Sequence, residues 1–286
     1  MARREYLGFG NSGLIDDKFR FETATSNTLY IKLEVSSSTL GGTMQAAIQS
    51  GHTLLFNYKI THIDNTSNTG SVTVNYDNYG GTVGIFTIAS ISLNTGDTIH
   101  IIGNNVNGST GKLFVGTKTV NGNTVYLGLR FDASNNIYCR GEIMYLLSEN
   151  WRKTNTQTSM NQFVALFKNF TKLLTAPEMN MKRISMGDCS YMFYGCSGLT
   201  DGPTMDVGSS LNTMSAMTYM FYNCSSLQSI KLFTTNTTWP SGIFSATNNW
   251  VYGVNTNGRF YKLSTLADTR GSAAIPTNWT IVNMDE

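Results

Sequence analysis

Met192-Phe193-Tyr194-Gly195-Cys196-Ser197-Gly198-Leu199 returns 28 residues later as Met220-Phe221-Tyr222-Asn223-Cys224-Ser225-Ser226-Leu227. Worked outward, Met186 and Met214 open these two copies, and a looser copy runs from Met160 to Leu173, 26 residues ahead of the second. The register aligns Phe167 with Phe193 and Phe221, and Leu173 with Leu199 and Leu227. Periods of 26 and 28 residues mark a repeat architecture built from a short strand and a helical or 3₁₀ turn. One such unit buries about five large apolar side chains, at ~1.5–3 kcal/mol each. Ordering its backbone costs ~1–2 kcal/mol per residue. A lone unit loses that contest, so the copies must share a core and be covered at both ends.

The first copy departs from the others. Phe170 stands at the Cys196/Cys224 position, and Ala165 and Lys168 stand where the later copies have tyrosine. Cys189 shares its column with Phe163 and Met217. Columns that accept Phe, Cys or Met are core columns, where cysteine acts as a small hydrophobe. On count alone Cys139, Cys189, Cys196 and Cys224 allow two disulfides or one zinc site, but their spacings of 50, 7 and 28 match no usual metal pattern. The expected repeat core is therefore Phe167, Phe193, Phe221, Leu173, Leu199, Leu227, Cys196 and Cys224. Tyr191 and Tyr219 recur one unit apart, as do Tyr194 and Tyr222. These four are the candidate binding surface, an aromatic platform for a sugar or a protein; the alternative is packing between units with each hydroxyl at the rim.

The first half has a different period. Leu29, Ile31, Leu33 and Val35 alternate with polar residues, as do Leu54, Phe56, Tyr58 and Ile60, then Val72, Val74 and Tyr76. Alternation of this kind marks half-buried strands. Further strands are expected at 83–93, 98–102, 112–117, 124–131 and 137–146, separated by turn chemistry such as Asn94-Thr95-Gly96-Asp97. The expected fold is mainly β: an antiparallel β-sandwich at 28–150, then a short leucine-rich-repeat solenoid at 151–286. Trp239, Phe244, Trp250, Phe260, Tyr261 and Trp279 are available to close the far end. Trp250–Val254 and Arg259–Leu263 flank Asn255-Thr256-Asn257-Gly258, which reads as a C-terminal β-hairpin cap. Residues 1–27, with Arg3, Arg4, Asp16, Asp17, Lys18 and Arg20, read as an arm, either a loose terminus or a docking segment.

Composition narrows the function. Asn, Thr, Ser and Gly supply 29, 37, 27 and 27 of the 286 residues, while charged residues are only 13%. Polarity without charge suits turns and strand surfaces, and the 33 Phe, Tyr and Trp residues exclude a disordered chain. A net charge of +2 without like-charge runs argues against nucleic acid, and no apolar stretch is long enough for a membrane helix. Neither a secretory leader nor a Gly-x-Ser-x-Gly elbow, phosphate loop or calcium loop is evident. His52, His62 and His100 have no zinc spacing and read as ordinary sheet residues. No cofactor is expected.

The pattern Met-Phe-Tyr-x-Cys-Ser-x-Leu at 192–199 and 220–227 resembles the BspA-type leucine-rich repeat. Gly141-Glu142-Ile143-Met144-Tyr145-Leu146-Leu147 and Asn249-Trp250-Val251 through Trp279-Thr280-Ile281 are similar to segments flanking such repeats in surface proteins of gut bacteria and structural proteins of their phages. The resemblance covers roughly 137–286. It implies a protein that binds rather than catalyses. With no export signal in view, the expectation is a phage virion protein, a head fibre, capsid decoration or tail fibre component. It would assemble with other virion proteins through its N-terminal region, as a homotrimer by analogy with fibres, and touch a host-surface glycan or protein. A bacterial cell-surface adhesin is the alternative, and a carbohydrate-degrading surface enzyme the third reading.

Overall fold

The computed structural model describes residues 17–37, 53–79, 82–103, 115–147, 163–180, 189–208, 217–239 and 249–285. Residues 1–16, His52, Met160, Met186, Met214 and Phe244 lie outside them. The chain is mainly β, in two sheets. The smaller is antiparallel, in the order β5 (Gly84–Leu93), β2 (Asn27–Ser36), β8 (Asn123–Ala133), β7 (Val115–Val120). The larger has ten strands. Its antiparallel part runs β4 (Ser67–Asn75), β3 (Thr53–Thr61), β6 (Thr98–Gly103), β1 (Arg20–Glu22), β9 (Ile137–Arg140). From β9 onward every pair is parallel, through β10 (Leu173–Thr175), β11 (Asp201–Gly208), β12 (Ser229–Thr234), β13 (Arg259–Lys262) and β14 (Thr280–Asn283).

Alternation produces the antiparallel strands: Leu29, Ile31, Leu33 and Val35 of β2, with Leu54, Phe56 and Ile60 of β3, are all buried. Several expectations need correction. Instead of a sandwich followed by a separate solenoid, one ten-stranded sheet runs through both halves, because β9 pairs antiparallel with β1 and parallel with β10. The described part of the expected arm, 17–27, holds a central strand: β1 lies between β6 and β9, and Phe19 and Phe21 are fully buried. A three-residue strand is too short to show a period, and the surrounding charges mask Phe19 and Phe21. The expected strand 137–146 ends at Arg140, where Gly141 takes φ +76° and a 3₁₀ turn follows at Ile143–Leu146.

The parallel strands are held in step by a second ladder at the turns. The Phe131, Phe167, Phe193 and Phe221 N–H groups donate to the Leu166, Met192, Met220 and Trp250 carbonyls, at 2.7–3.0 Å. The rings follow the backbone. Centroids lie 5.9 Å apart from Phe131 to Phe167, 5.2 Å from Phe167 to Phe193 and 5.4 Å from Phe193 to Phe221. Phe131 belongs to β8, so the smaller sheet covers the first unit. At the far end Trp250 sits 5.8 Å from Phe221, and its indole N–H donates to the Ala274 carbonyl.

Asn249-Trp250-Val251-Tyr252-Gly253 is thus a fourth turn in the same register, not the first arm of a hairpin. Asn223 N–H donates to the Tyr252 carbonyl just as Gly195 donates to that of Tyr222. β13 accordingly has parallel neighbours, β12 and β14, on both sides. Trp250 and Phe260 are both fully buried in this arrangement.

The column residues sit as follows. Leu173, Leu199 and Leu227 are buried, as are all four cysteines, which are free thiols. Cys196 and Cys224 donate their S–H groups to the Phe167 and Phe193 carbonyls of the preceding unit, at 2.9 and 3.0 Å. Burial pushes both thiols, and that of Cys139, well above the ordinary thiol range. At the joint between the halves, the buried Arg130 guanidinium grips Glu34 Oε2 through Nε at 2.8 Å and Nη2 at 2.5 Å, with Lys168 3.8 Å from Oε1. Its Nη1 also reaches the Val164 carbonyl of the first unit.

Candidate binding surface

Each turn must fold back on itself within five residues, so the chain enters the left-handed region twice per unit. The second such position holds Asn169, Gly195, Asn223 and Gly253, with φ between 60° and 71°. Asn and Gly suit it, and a Cβ on Gly195 would meet Asn169 Oδ1 at 2.3 Å. The first position holds Ala165, Tyr191, Tyr219 and Asn249, with φ of 55°, 56°, 54° and 37°. A bulky aromatic residue there is an outlier, and such positions cost of order 1–3 kcal/mol each. Two tyrosines are therefore held at a strained position that asparagine fills one unit later.

The four sequence-nominated tyrosines come together in two columns. Tyr191 and Tyr219 have centroids 5.0 Å apart; Tyr194 and Tyr222 are 5.1 Å apart and parallel within 2°. Cross-contacts of 5.5 Å between Tyr191 and Tyr194, and 5.4 Å between Tyr219 and Tyr222, make one block of the columns. All four are partly exposed. Partial burial, reinforced by the neighbouring phenols, raises the pKa of Tyr191 and of Tyr222. Tyr194 and Tyr222 cover one another's faces, whereas Tyr219 meets Tyr222 edge to face; tyrosine in such a block offers an apolar body with a polar tip.

Sequence reasoning missed the fifth member. Tyr252 stacks 5.0 Å from Tyr222 and is 51% exposed. It ends the stack and lines a recess of about 180 Å³ with Ser272, Pro276, Thr277 and Asn278. The available signal was Asn249 and Gly253 at the two left-handed positions, with a tyrosine between them. Reading the segment as a hairpin arm hid it.

Other chemistry-bearing groups serve the fold. His62 Nδ1 lies 2.9 Å from Asp97 Oδ1, and its Nε2 is 3.0 Å from the Asn68 amide nitrogen. Asp97 Oδ2 also accepts from Asn94 N–H at 2.8 Å, so this group locks the 94–97 turn. The nitrogen that would serve a nucleophile is taken by Asn68. Among the described residues no three His, Cys, Asp or Glu side chains are grouped to hold a metal, and no helix is long and apolar enough to cross a membrane. No protein-family model, curated protein or solved structure matches the chain.

Proposed function

We propose that this protein is a recognition component of a phage virion, a head fibre, decoration or tail fibre protein, whose tyrosine face contacts a host-surface glycan or protein. Its parallel units are, in this reading, leucine-rich repeats of the BspA kind, extended as a scaffold for touching rather than for catalysis. The first half supplies attachment to the particle and the contacts of a homotrimer. The carrying observation is the tyrosine block: Tyr191, Tyr194, Tyr219 and Tyr222 form a contiguous, partly exposed aromatic surface, and two of them occupy left-handed backbone positions that a bulky residue rarely takes. Strain of this kind gathers at functional sites, and tyrosine gives contact area at low entropic cost. Scarcity of charge favours binding that changes little with salt.

Two measurements test the reading. Mass spectrometry of purified particles should find the protein in stoichiometric amount; its absence overturns the virion assignment and leaves the cell-surface adhesin. Tyr252→Ala, at a half-exposed position, should weaken adhesion to host cells about tenfold, the size of a modest interface hot spot, with little change in melting temperature. Undiminished adhesion would remove the tyrosine face from the binding surface.

A further inference from the structure

On the strand side of the parallel units, the outward positions of six strands fall into one row. Tyr138, Thr175, Asp201, Ser229, Arg259 and Thr280 are successive register partners from β9 to β14. At about 4.8 Å per strand the row is about 24 Å long, and its step is close to the length of one pyranose residue. Two recesses of about 470 Å³ each open along it and share Asp201 and Ser229. In the one toward β9, Arg20 and Arg140 are both paired to Glu22, at 2.7 and 2.9 Å. The one toward β14 differs. Its nine lining residues include no aliphatic side chain, and the single ring, Tyr261, carries Lys231 Nζ 5.7 Å from its centroid.

Of the polar groups of this second recess, Asp201 is held in place, and Gln228, Asn257, Arg259 and Asn278 are exposed to solvent. Asp201 is oriented by the hydroxyls of Ser229, at 3.0 Å, and Thr200, at 3.2 Å. Among the described residues, the side chains of Arg259, Gln228, Asn257 and Asn278 make no hydrogen bond or ion pair. The loop that carries Asn257 is fixed from below. Trp279 Nε1 donates to the Asn255 carbonyl at 2.7 Å, and Gly258 lies so close to the indole that a Cβ would sit 2.5 Å from it.

From this arrangement we propose that the face of β11–β14 is a groove for an oligosaccharide bearing carboxylates. Gln228, Asn257 and Asn278 pair with vicinal hydroxyls, each amide offering a donor and an acceptor. Asp201 accepts from a further hydroxyl. Arg259 takes the sugar carboxylate with its planar fork. A peptide is the poorer occupant, because a groove for side chains needs apolar pockets and this one has none. The groove goes beyond the tyrosine reading, since strands build it and turns build the tyrosine block.

Calorimetry on the full chain, with oligogalacturonides, sialyllactose and maltohexaose as probes, tests this. A carboxylated probe should bind, Arg259→Ala should weaken it at least tenfold at an unchanged melting temperature, and Arg259→Lys should restore part of the loss. Tyr252→Ala should leave this binding in place. Affinity untouched by Arg259→Ala, maltohexaose bound as tightly as the acidic probes, or no probe bound at all would each overturn the groove. Host adhesion that survives Arg259→Ala but falls in Tyr252→Ala would overturn it while the tyrosine face stands.

Discussion

Between pH 7 and pH 10 the protein should lose several kcal/mol of stability, with the fall setting in near pH 9. Cys139, Cys196 and Cys224 are buried, and burial raises each thiol above its ordinary value of 9.0. The protonated, neutral thiol is therefore the form the fold retains. In the unfolded chain the same thiols ionise as pH passes about 9, so the unfolded state then binds fewer protons than the native one. Stability is complete below that pH and is lost as pH rises from there toward the folded-state values. Each retained proton contributes about 1.4 kcal/mol per pH unit, so three thiols give a slope of about 4 kcal/mol per unit. Tyr76, fully buried and raised by that burial, steepens the fall above its ordinary value of 10.0. Urea unfolding at a series of pH values reads this directly, and Cys196→Val should reduce the slope by one proton. A flat profile to pH 10.5 would show that these thiols are solvated, contrary to the packing described.

Phe193→Ala is expected to destabilise by about 3–5 kcal/mol, as for buried aromatic residues generally. The ring has no exposed surface and is clasped between Phe167 and Phe221, within 3° of parallel to each. Neither neighbour can collapse into the gap, because each is tied through its own N–H to the next turn. The cavity therefore persists. Because the ring ladder starts at Phe131 in the smaller sheet and ends at Trp250, a single melting transition should move down as a whole. Wild-type melting would mean that the units do not share a core; two separated transitions would mean that the halves do not.

Much of this was legible because two copies agree at Met, Phe, Tyr, Cys and Leu, which puts each column's chemistry in plain view. The column at Phe170, Cys196 and Cys224 shows this best: interchange between a ring and a thiol points to burial from the sequence alone. What stayed hidden was carried by residues without a partner copy. Trp250 fills the Met192/Met220 position and Val251 the Phe193/Phe221 position, and the spacing stretches to 30 from Tyr219 to Asn249. Only the left-handed pair Asn249 and Gly253 and the tyrosine between them survive, and those residue types also spell a hairpin. β1 was hidden for another reason. Three residues carry no periodicity, and what makes it central is long-range: Phe21 meets Phe131 of β8 and Phe167 and Phe170 of the first unit, with centroids 5.4–6.5 Å away. The sheet-face groove leaves no local trace at all, since its row takes one residue from each strand.

The identical backbone connection from turn to turn, from Phe131 through Trp250, has an evolutionary corollary. Any interior unit presents the same donor on one side and the same acceptor on the other, so gene duplication or deletion of a whole unit would leave both junctions chemically unaltered. The length of the stack could then change in discrete increments across a lineage, while the two terminal covers, the costly part to invent, are inherited intact.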